Sequence, residues 1–460
     1  MLSKKKHKNI LSSKRKAIVV TMLIIVLSVV DAVSLMAQET NNGSTYTLDD
    51  LINQTLAENY QIRIMRNQER IASNNNTIGN AGYLPTVGLD AQQSGSIESS
   101  TSEFYTGDSR SGSNALSTSL NAMVQVNWVV FDGFKMFARK DRLENLQKLS
   151  VLDTRYYVEQ TVSDLATAYY ELIKEKQLLA HFRQSLTISE YRLNLEKEKL
   201  KLGSGNALLY HQAVVDFHSD SVMVENKKSV IQNIEVHINR IINRELESDI
   251  PLIMDETAFF EIQEKDSLIQ SAVNNNISLE QSKINELLAE TATKIEAGDK
   301  YPEVSLFGNY SFSQQNSELG FVESRNSFGP QFGVRIRFNL YDGGRENIQL
   351  KNAEIEQENA GINKRQVSRQ IQSSVIQLIN LHDSYFRQYR LTLKSLDAAE
   401  NSMKIARQQL ESGAINGYDF RQTQSALLQV KNKVTELKFA ILETEISILK
   451  LSGDLIPTLL

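Results

Sequence analysis

The 460-residue chain contains no cysteine. That absence removes disulfides, thiol nucleophiles and thiolate metal sites together, along with the cysteine that a lipobox anchor would need. Proline occurs only at Pro85, Pro251, Pro302, Pro330 and Pro457. Neither proline nor glycine lies between Lys135 and Leu202, and between Arg345 and Ser412 only Gly361 interrupts. Helix breakers are thus missing over two stretches, each roughly 100 Å long as continuous helix at ~1.5 Å per residue. There is no Gly-x-Ser-x-Gly, no Walker-type loop and no dinucleotide fingerprint, so neither catalysis nor a cofactor is expected. Past the amino terminus no run approaches the ~20 apolar residues of a membrane helix. If the mature protein enters a membrane, it does so as strands.

The first residues carry Lys4, Lys5, Lys6, Lys8, Lys14, Arg15 and Lys16, followed by the apolar run Ala17–Val30. A basic segment before a short apolar one reads as a cleaved secretory signal, expected over residues 1–37. Cleavage after Ala37 leaves Leu35 at the −3 position, whereas Ala32-Val33-Ser34 has the small-x-small pattern. Loss of these seven basic residues and Asp31 takes the formal charge from −5 to −11. So acidic a chain is not expected to bind nucleic acid, which demands clustered cations.

What is present is said twice. Leu200-Lys201-Leu202-Gly203-Ser204-Gly205-Asn206 recurs as Leu410-Glu411-Ser412-Gly413-Ala414-Ile415-Asn416, an offset of 210 that also relates Phe131-Asp132-Gly133 to Tyr341-Asp342-Gly343. Upstream the offset is 217, as Pro85-Thr86-Val87 meets Pro302-Glu303-Val304. A tandem duplication follows, with repeats over about 38–250 and 251–460. The first repeat predicts strands near 84–98 and 118–131 and helices near 135–202 and 206–246. The second predicts strands near 303–314 and 328–341 and helices near 345–412 and 416–452.

The helices have coiled-coil periodicity. Val151, Val158, Leu165, Leu172, Leu179, Leu186, Leu193 and Leu200 recur every seventh residue. Phe217, Val224, Ile231 and Ile238 continue the period, as do Leu427, Val434, Ile441 and Ile448 in the second repeat. Sustained sevens predict supercoiled helices with a continuous buried seam, here Leu165 through Leu200. A looser track runs through Val375, His382, Tyr389, Leu396, Met403 and Leu410. Taken alone, such helices suit a soluble antiparallel coiled-coil hairpin.

The strands decide otherwise. Leu120, Ala122, Val124, Val126, Trp128 and Val130 alternate with mostly polar residues. So do Val304, Leu306, Gly308, Tyr310 and Phe312, and Phe332, Val334, Ile336, Phe338 and Leu340. Alternation over about ten residues, one face apolar and aromatic, is the transmembrane β-strand pattern. Two hairpins cannot close a barrel, so closure would require several copies. The segments Ser94–Ser119 and Gln314–Ser327, nearly free of aliphatics, read as solvent loops.

With its duplication, its strand pair before each long helix and its paired Gly203 and Gly413 turns, the chain resembles the outer-membrane efflux protein family, the TolC-like channels. The resemblance covers about residues 46–453. It implies a mixed α and β membrane protein: a homotrimer closing a twelve-stranded β-barrel on an α-helical periplasmic tunnel. It also implies a conduit in the outer-membrane lipid of a Gram-negative cell, for small molecules or proteins. An inner-membrane transporter and a periplasmic adaptor (membrane fusion protein) would be its partners. The tip residues Leu202, Gly203, Ser412 and Gly413 would contact the adaptor, and Leu48–Ala57 and Ser267–Val273 would form a belt around the tunnel. The alternative is a periplasmic coiled-coil adaptor or scaffold without a pore. That reading calls for one hairpin flanked by halves of a lipoyl-like β domain.

Family members line the narrowest point of the tunnel with acidic side chains, the first of them six residues after the second tip glycine. Asp419 stands six residues after Gly413, which makes it the pore-constriction candidate; as a first-turn acid it would equally suit a capping role. The family's second acid falls on Gln422, and its closed-state tyrosine and arginine fall on Leu410 and Ile415, so that lock is not carried over. Glu411 and Arg407 are the next constriction candidates. His211, Asp216, His218 and Asp220 lie close in sequence, but helical spacing puts the two histidines on one face and the aspartates elsewhere, so no metal site is expected. His382 reads as a packed, hydrogen-bonded histidine in the seam.

Overall fold

The computed structural model describes residues 45–251, 259–319 and 322–459. The expected leader, residues 1–37, lies outside them. Residues 45–47 and 250–251 form a small unit of their own, in which the Tyr46 amide donates to the Pro251 carbonyl at 2.8 Å. All other described residues belong to one larger unit.

The larger unit opens with α1 (Leu48–Glu58), α2 (Tyr60–Asn75), α3 (Ile78–Ala81), β1 (Thr86–Glu103) and β2 (Ser109–Asp132), then the long pair α4 (Lys135–Lys201) and α5 (Ala207–Ile241). The second repeat supplies α6 (Lys265–Asn275), α7 (Ile277–Gly298), β3 (Glu303–Ser317) and β4 (Ser324–Arg337). It ends with α8 (Arg345–Ser412), α9 (Gly417–Ser452) and the short α10 (Leu455–Leu459). Element starts obey the repeat: Tyr60 and Ile277 differ by 217, Lys135 and Arg345 by 210. The offset changes by seven inside the hairpins, because the first hairpin is the longer.

Sequence periodicity did not separate α1 from α2, or α6 from α7. The divide is made by Asn59 and Asn276, which sit in extended conformation and cap the following helix. Asn59 Oδ1 accepts from the amides of Gln61 and Ile62, and Asn276 Oδ1 from those of Ser278 and Leu279. A capping side chain satisfies amides that have no intrahelical acceptor.

The four strands form one antiparallel sheet in the order β1-β2-β3-β4, so the repeats share a sheet rather than forming separate bodies. Register aligns the apolar positions of all four. Val87 and Leu89 sit opposite Val126 and Val124, which sit opposite Gly308 and Tyr310, which sit opposite Phe332 and Pro330. Because side chains alternate with period two, this register collects the apolar residues on one face. Gln125, Asn309 and Gln331 share the other. From Leu120 to Trp128 the apolar face of β2 extends about 27 Å at ~3.4 Å per residue, close to the ~25 Å apolar band of outer-membrane barrels. Phe332 is 84% exposed and Val334 62% exposed, so none of the described residues covers this face.

Two expectations about the strands are corrected. The segment 94–119 is strand almost throughout, paired as far as Glu103↔Ser109 around a turn at 104–108. The segment 314–327 is likewise paired to Asn316↔Ser324. Backbone pairing continues where both faces are polar, and there alternation carries no signal. Phe338–Leu340 lie outside β4, because β3 starts at Glu303, the partner of Arg337, and leaves them nothing to pair with.

At the strand-to-helix corner Gly133 has φ +71, and a Cβ there would meet the Gly298 carbonyl at 2.1 Å, so only glycine lets α7 approach. α4 packs against α5, α9, α7, α2 and α1, which is why its middle is buried on several sides. Leu165 and Leu172 are 0% exposed, each contributing roughly 1.5–3 kcal/mol by burial. A second cluster joins α6, α7, α8 and α9 through Leu268, Ala272, Leu279, Ile371, Val375 and Ile448. No helix among the described residues is long and apolar enough to cross a membrane.

Candidate functional site at the helix tips

Both long outgoing helices stop at a glycine in the left-handed conformation, Gly203 at φ +74 and Gly413 at φ +75. At the first tip the Gly203 amide donates to the Leu200 carbonyl and the Ser204 amide to that of Lys199. At the second, Gly413 donates to Leu410 and Ala414 to Gln409. These bonds satisfy the carbonyls that a helix end leaves open. The returning helices start at matching asparagines: Asn206 Oδ1 accepts from the Leu208 amide, Asn416 Oδ1 from those of Tyr418 and Asp419. Leu202 is 81% exposed, and Ser412, Leu208 and Tyr418 are exposed too, so the tips present an uncovered and partly apolar surface.

Asp419 stands in the first turn of α9, exposed, its carboxylate in no hydrogen bond or ion pair among the described residues. The cap of α9 is Asn416, so capping does not occupy Asp419. Glu411 and Arg407 pair with each other at 3.5 Å, and the Arg407 guanidinium lies over Tyr191, 5.5 Å from its ring centre.

The leucines spaced by seven along α4 differ in burial toward the tip. Leu165, Leu172 and Leu179 are buried, Leu186 and Leu193 are half-buried, and Leu200 is exposed. Toward the tip the buried face of α4 is polar instead: Ser185, Ser189, Arg192 and Glu196 recur at helical spacing. Ser185, Ser189 and Arg192 meet Asp220 and Asp216 of α5, while Glu196 pairs with Lys199 of its own helix beside Gly417 of α9.

This polar interior forms a clasp among three helices. Arg421 of α9 grips Asp220 of α5 with two parallel bonds, 2.7 and 2.8 Å. Ser185 and Ser189 of α4 donate to the same carboxylate. Arg192 of α4, 2% exposed, pairs with Asp216 and donates to the Gly417 carbonyl at 2.8 Å. Gln424 of α9 donates to the Ser185 carbonyl at 2.8 Å. Burial pushes the Asp220 carboxyl up, but Arg421 and the two serine hydroxyls outweigh it and hold it below the ordinary aspartate value. Two arginines face two aspartates, so charge balances within the cluster. The clasp ties the first-repeat hairpin, α4 and α5, to the start of α9.

Sequence reasoning placed Asp216 and Asp220 away from the histidines but did not find their arginines, which arrive from α4 and α9. The available signal was the polar stripe Ser185-Ser189-Arg192-Glu196 within a heptad helix. His211 and His218 are exposed.

The family model described as outer membrane efflux protein matches residues 51–243 and 268–454. Outer membrane protein TolC of Vibrio cholerae is 24% identical over 218 residues, 45% of this chain. The alignment spans about half of that relative, 49% of its length. Among solved structures, the outer membrane protein VceC from Vibrio cholerae superposes with a TM-score of 0.70 at 15% identity, covering 88% of this chain and 96% of that one. The Campylobacter jejuni CmeC outer membrane channel gives 0.71 at 14% identity, covering 91% and 90%.

Proposed function

The chain belongs to the outer membrane efflux protein family, and from that premise we propose that it is an outer-membrane export channel, conducting small molecules or proteins delivered by an inner-membrane pump. The observation that carries this reading is the sheet: four strands in a register that gives one apolar and one polar face. An apolar face turned to lipid and a polar face turned to a lumen is how a strand-built membrane pore is made.

A homotrimer completes it. Among the described residues the outer edges of β1 and β4 are unpaired, and open edges do not persist in lipid. Three copies would supply twelve strands and close the ring. The helices support the same assembly: α5 leaves Leu208, Val215 and Val222 exposed at sevenfold spacing, with Val236 two heptads on past Ser229, a coiled-coil face awaiting a neighbouring chain.

At the far end the exposed tips around Leu202, Gly203, Ser412 and Gly413 receive a periplasmic adaptor. Three copies of Asp419 ring the constriction, and the clasp holds the second-repeat helices inward while the tunnel is closed. Detergent-extracted protein should scatter light as three chains per particle, migrate heat-dependently on gels and conduct in planar bilayers. A stably folded, non-conducting monomer overturns the proposal, and recovery in the periplasmic fraction would favour the adaptor alternative.

A further inference from the structure

The segment 259–264, between the repeats, is neither helix nor strand, yet its backbone is held to the helical body by a buried carboxylate. Glu445 of α9 is 1% exposed. Its Oε2 accepts from the Phe260 amide at 2.9 Å, and its Oε1 meets His382 Nε2 of α8 at 3.1 Å. Aromatic rings surround these bonds. Phe259 packs edge-on against Phe386 and Tyr389 of α8, Phe260 against Tyr170 of α4, and His382 stacks on Phe386.

We propose that Glu445 and His382 form a latch that fastens this inter-repeat strap, and that the latch loosens when His382 loses its proton. A carboxylate buried among aromatic rings is costly unless its charge is matched. With His382 protonated, Glu445 has a cationic donor on one oxygen and the strap amide on the other. With His382 neutral, Glu445 is a buried anion with only neutral donors, and lifting the strap admits water to it. The groups facing the histidine are Glu445 from α9, Asp383 of its own helix at 3.7 Å from Nδ1, and Arg390 through the shared Phe386 ring. From α4, Tyr170 faces Glu445, with Asp49 of α1 nearby. Burial pushes the Tyr170 hydroxyl up to about 12, so it stays neutral. The strap carries Glu261 and Glu264, both exposed, and turns Phe259 toward the Phe386 ring on which the histidine stacks.

The direction follows from these partners. The hydrogen bond that His382 donates to Glu445 raises its value above the ordinary 6.5, against the opposing effect of burial. A raised histidine stabilises fully below its unfolded value and ceases to do so as pH climbs through the folded one. The strap is therefore held in mild acid and released above neutrality.

Because the chain has no cysteine, Glu261→Cys gives a unique nitroxide site on the strap of the full-length protein. Its spectrum should be immobile near about pH 6 and several-fold more mobile near about pH 9, with a midpoint above that of free histidine. His382→Gln should abolish the transition, and Glu445→Gln should leave the strap mobile at both pH values. Helical circular dichroism should stay constant. Equal mobility at both pH values, an unchanged transition in His382→Gln, or helix loss with the same midpoint would each overturn the latch.

Discussion

Replacing Asp220 with asparagine tests the clasp most directly. The substitution keeps size and removes charge, so the Arg421 fork loses its two charge-assisted acceptors at 2.7 and 2.8 Å. The Asp220 side chain is 6% exposed and that of Arg421 21%. Removing one partner of a buried ion pair costs about 3–5 kcal/mol. Arg421 keeps partial solvent and a second acid, Asp216, 3.7 Å from its Nε, so the lower end applies. About 3 kcal/mol is a shift of roughly 100-fold in the clasped-to-open equilibrium. Hydrogen exchange should report it as a loss of protection of that order at the start of α9 and in the first turns of α5. Single-channel conductance of the assembled protein should rise in parallel. In an Arg421→Gln background the same substitution should cost far less, because the pair is already broken. Acid should mimic it only below 3.8: a depressed carboxyl stabilises fully above its unfolded value and loses this as pH falls through the folded one. Unchanged exchange at the tip with fully additive single and double variants would refute the clasp.

Leu172→Asp combined with Leu179→Asp buries two charges at a cost of several kcal/mol, and immunoblots of outer-membrane fractions should show little assembled protein. Val124→Arg should destabilise the membrane-inserted form by about 2–4 kcal/mol in urea titrations, whereas Gln125→Arg, one residue along on the polar face, should be tolerated. Valine at both Gly203 and Gly413 forces a β-branched residue to positive φ, at about 1–2 kcal/mol each; efflux and adaptor crosslinking should fall while the trimer persists. Asp419→Asn should reduce cation-over-anion selectivity in bilayer recordings with no change in melting temperature, since Asn416 remains the cap.

Local periodicity made much of the architecture readable. The offsets of 217 and 210, the sevenfold spacing through Leu165 and Leu172 and the alternation around Val124 each depend on neighbours within a few residues or on simple repetition. The clasp was not readable, because Arg192, Asp220 and Arg421 come from three helices and no local pattern links them. The polar parts of β1 and β2 were hidden for another reason: alternation vanishes where both faces meet water. Leu200 shows the limit of the heptad, since its spacing is faultless and its environment is solvent. Which face of a helix end is covered depends on its neighbours, and near the tip α4 has fewer of them.

The pairing of β2 with β3 brings together residues as far apart as Ser117 and Ser317, whose hydroxyls are 3.1 Å apart. That ladder closes a loop containing two complete long helices, and long loops slow the search for native contacts. The first hairpin therefore cannot complete its side of the sheet until the chain has been translocated past β3. Until then the free edge of β2 has no partner, which exposes a nascent molecule to aggregation. Synthesis order thus sets a waiting period for the amino-terminal half, and delays within the second repeat should prolong it.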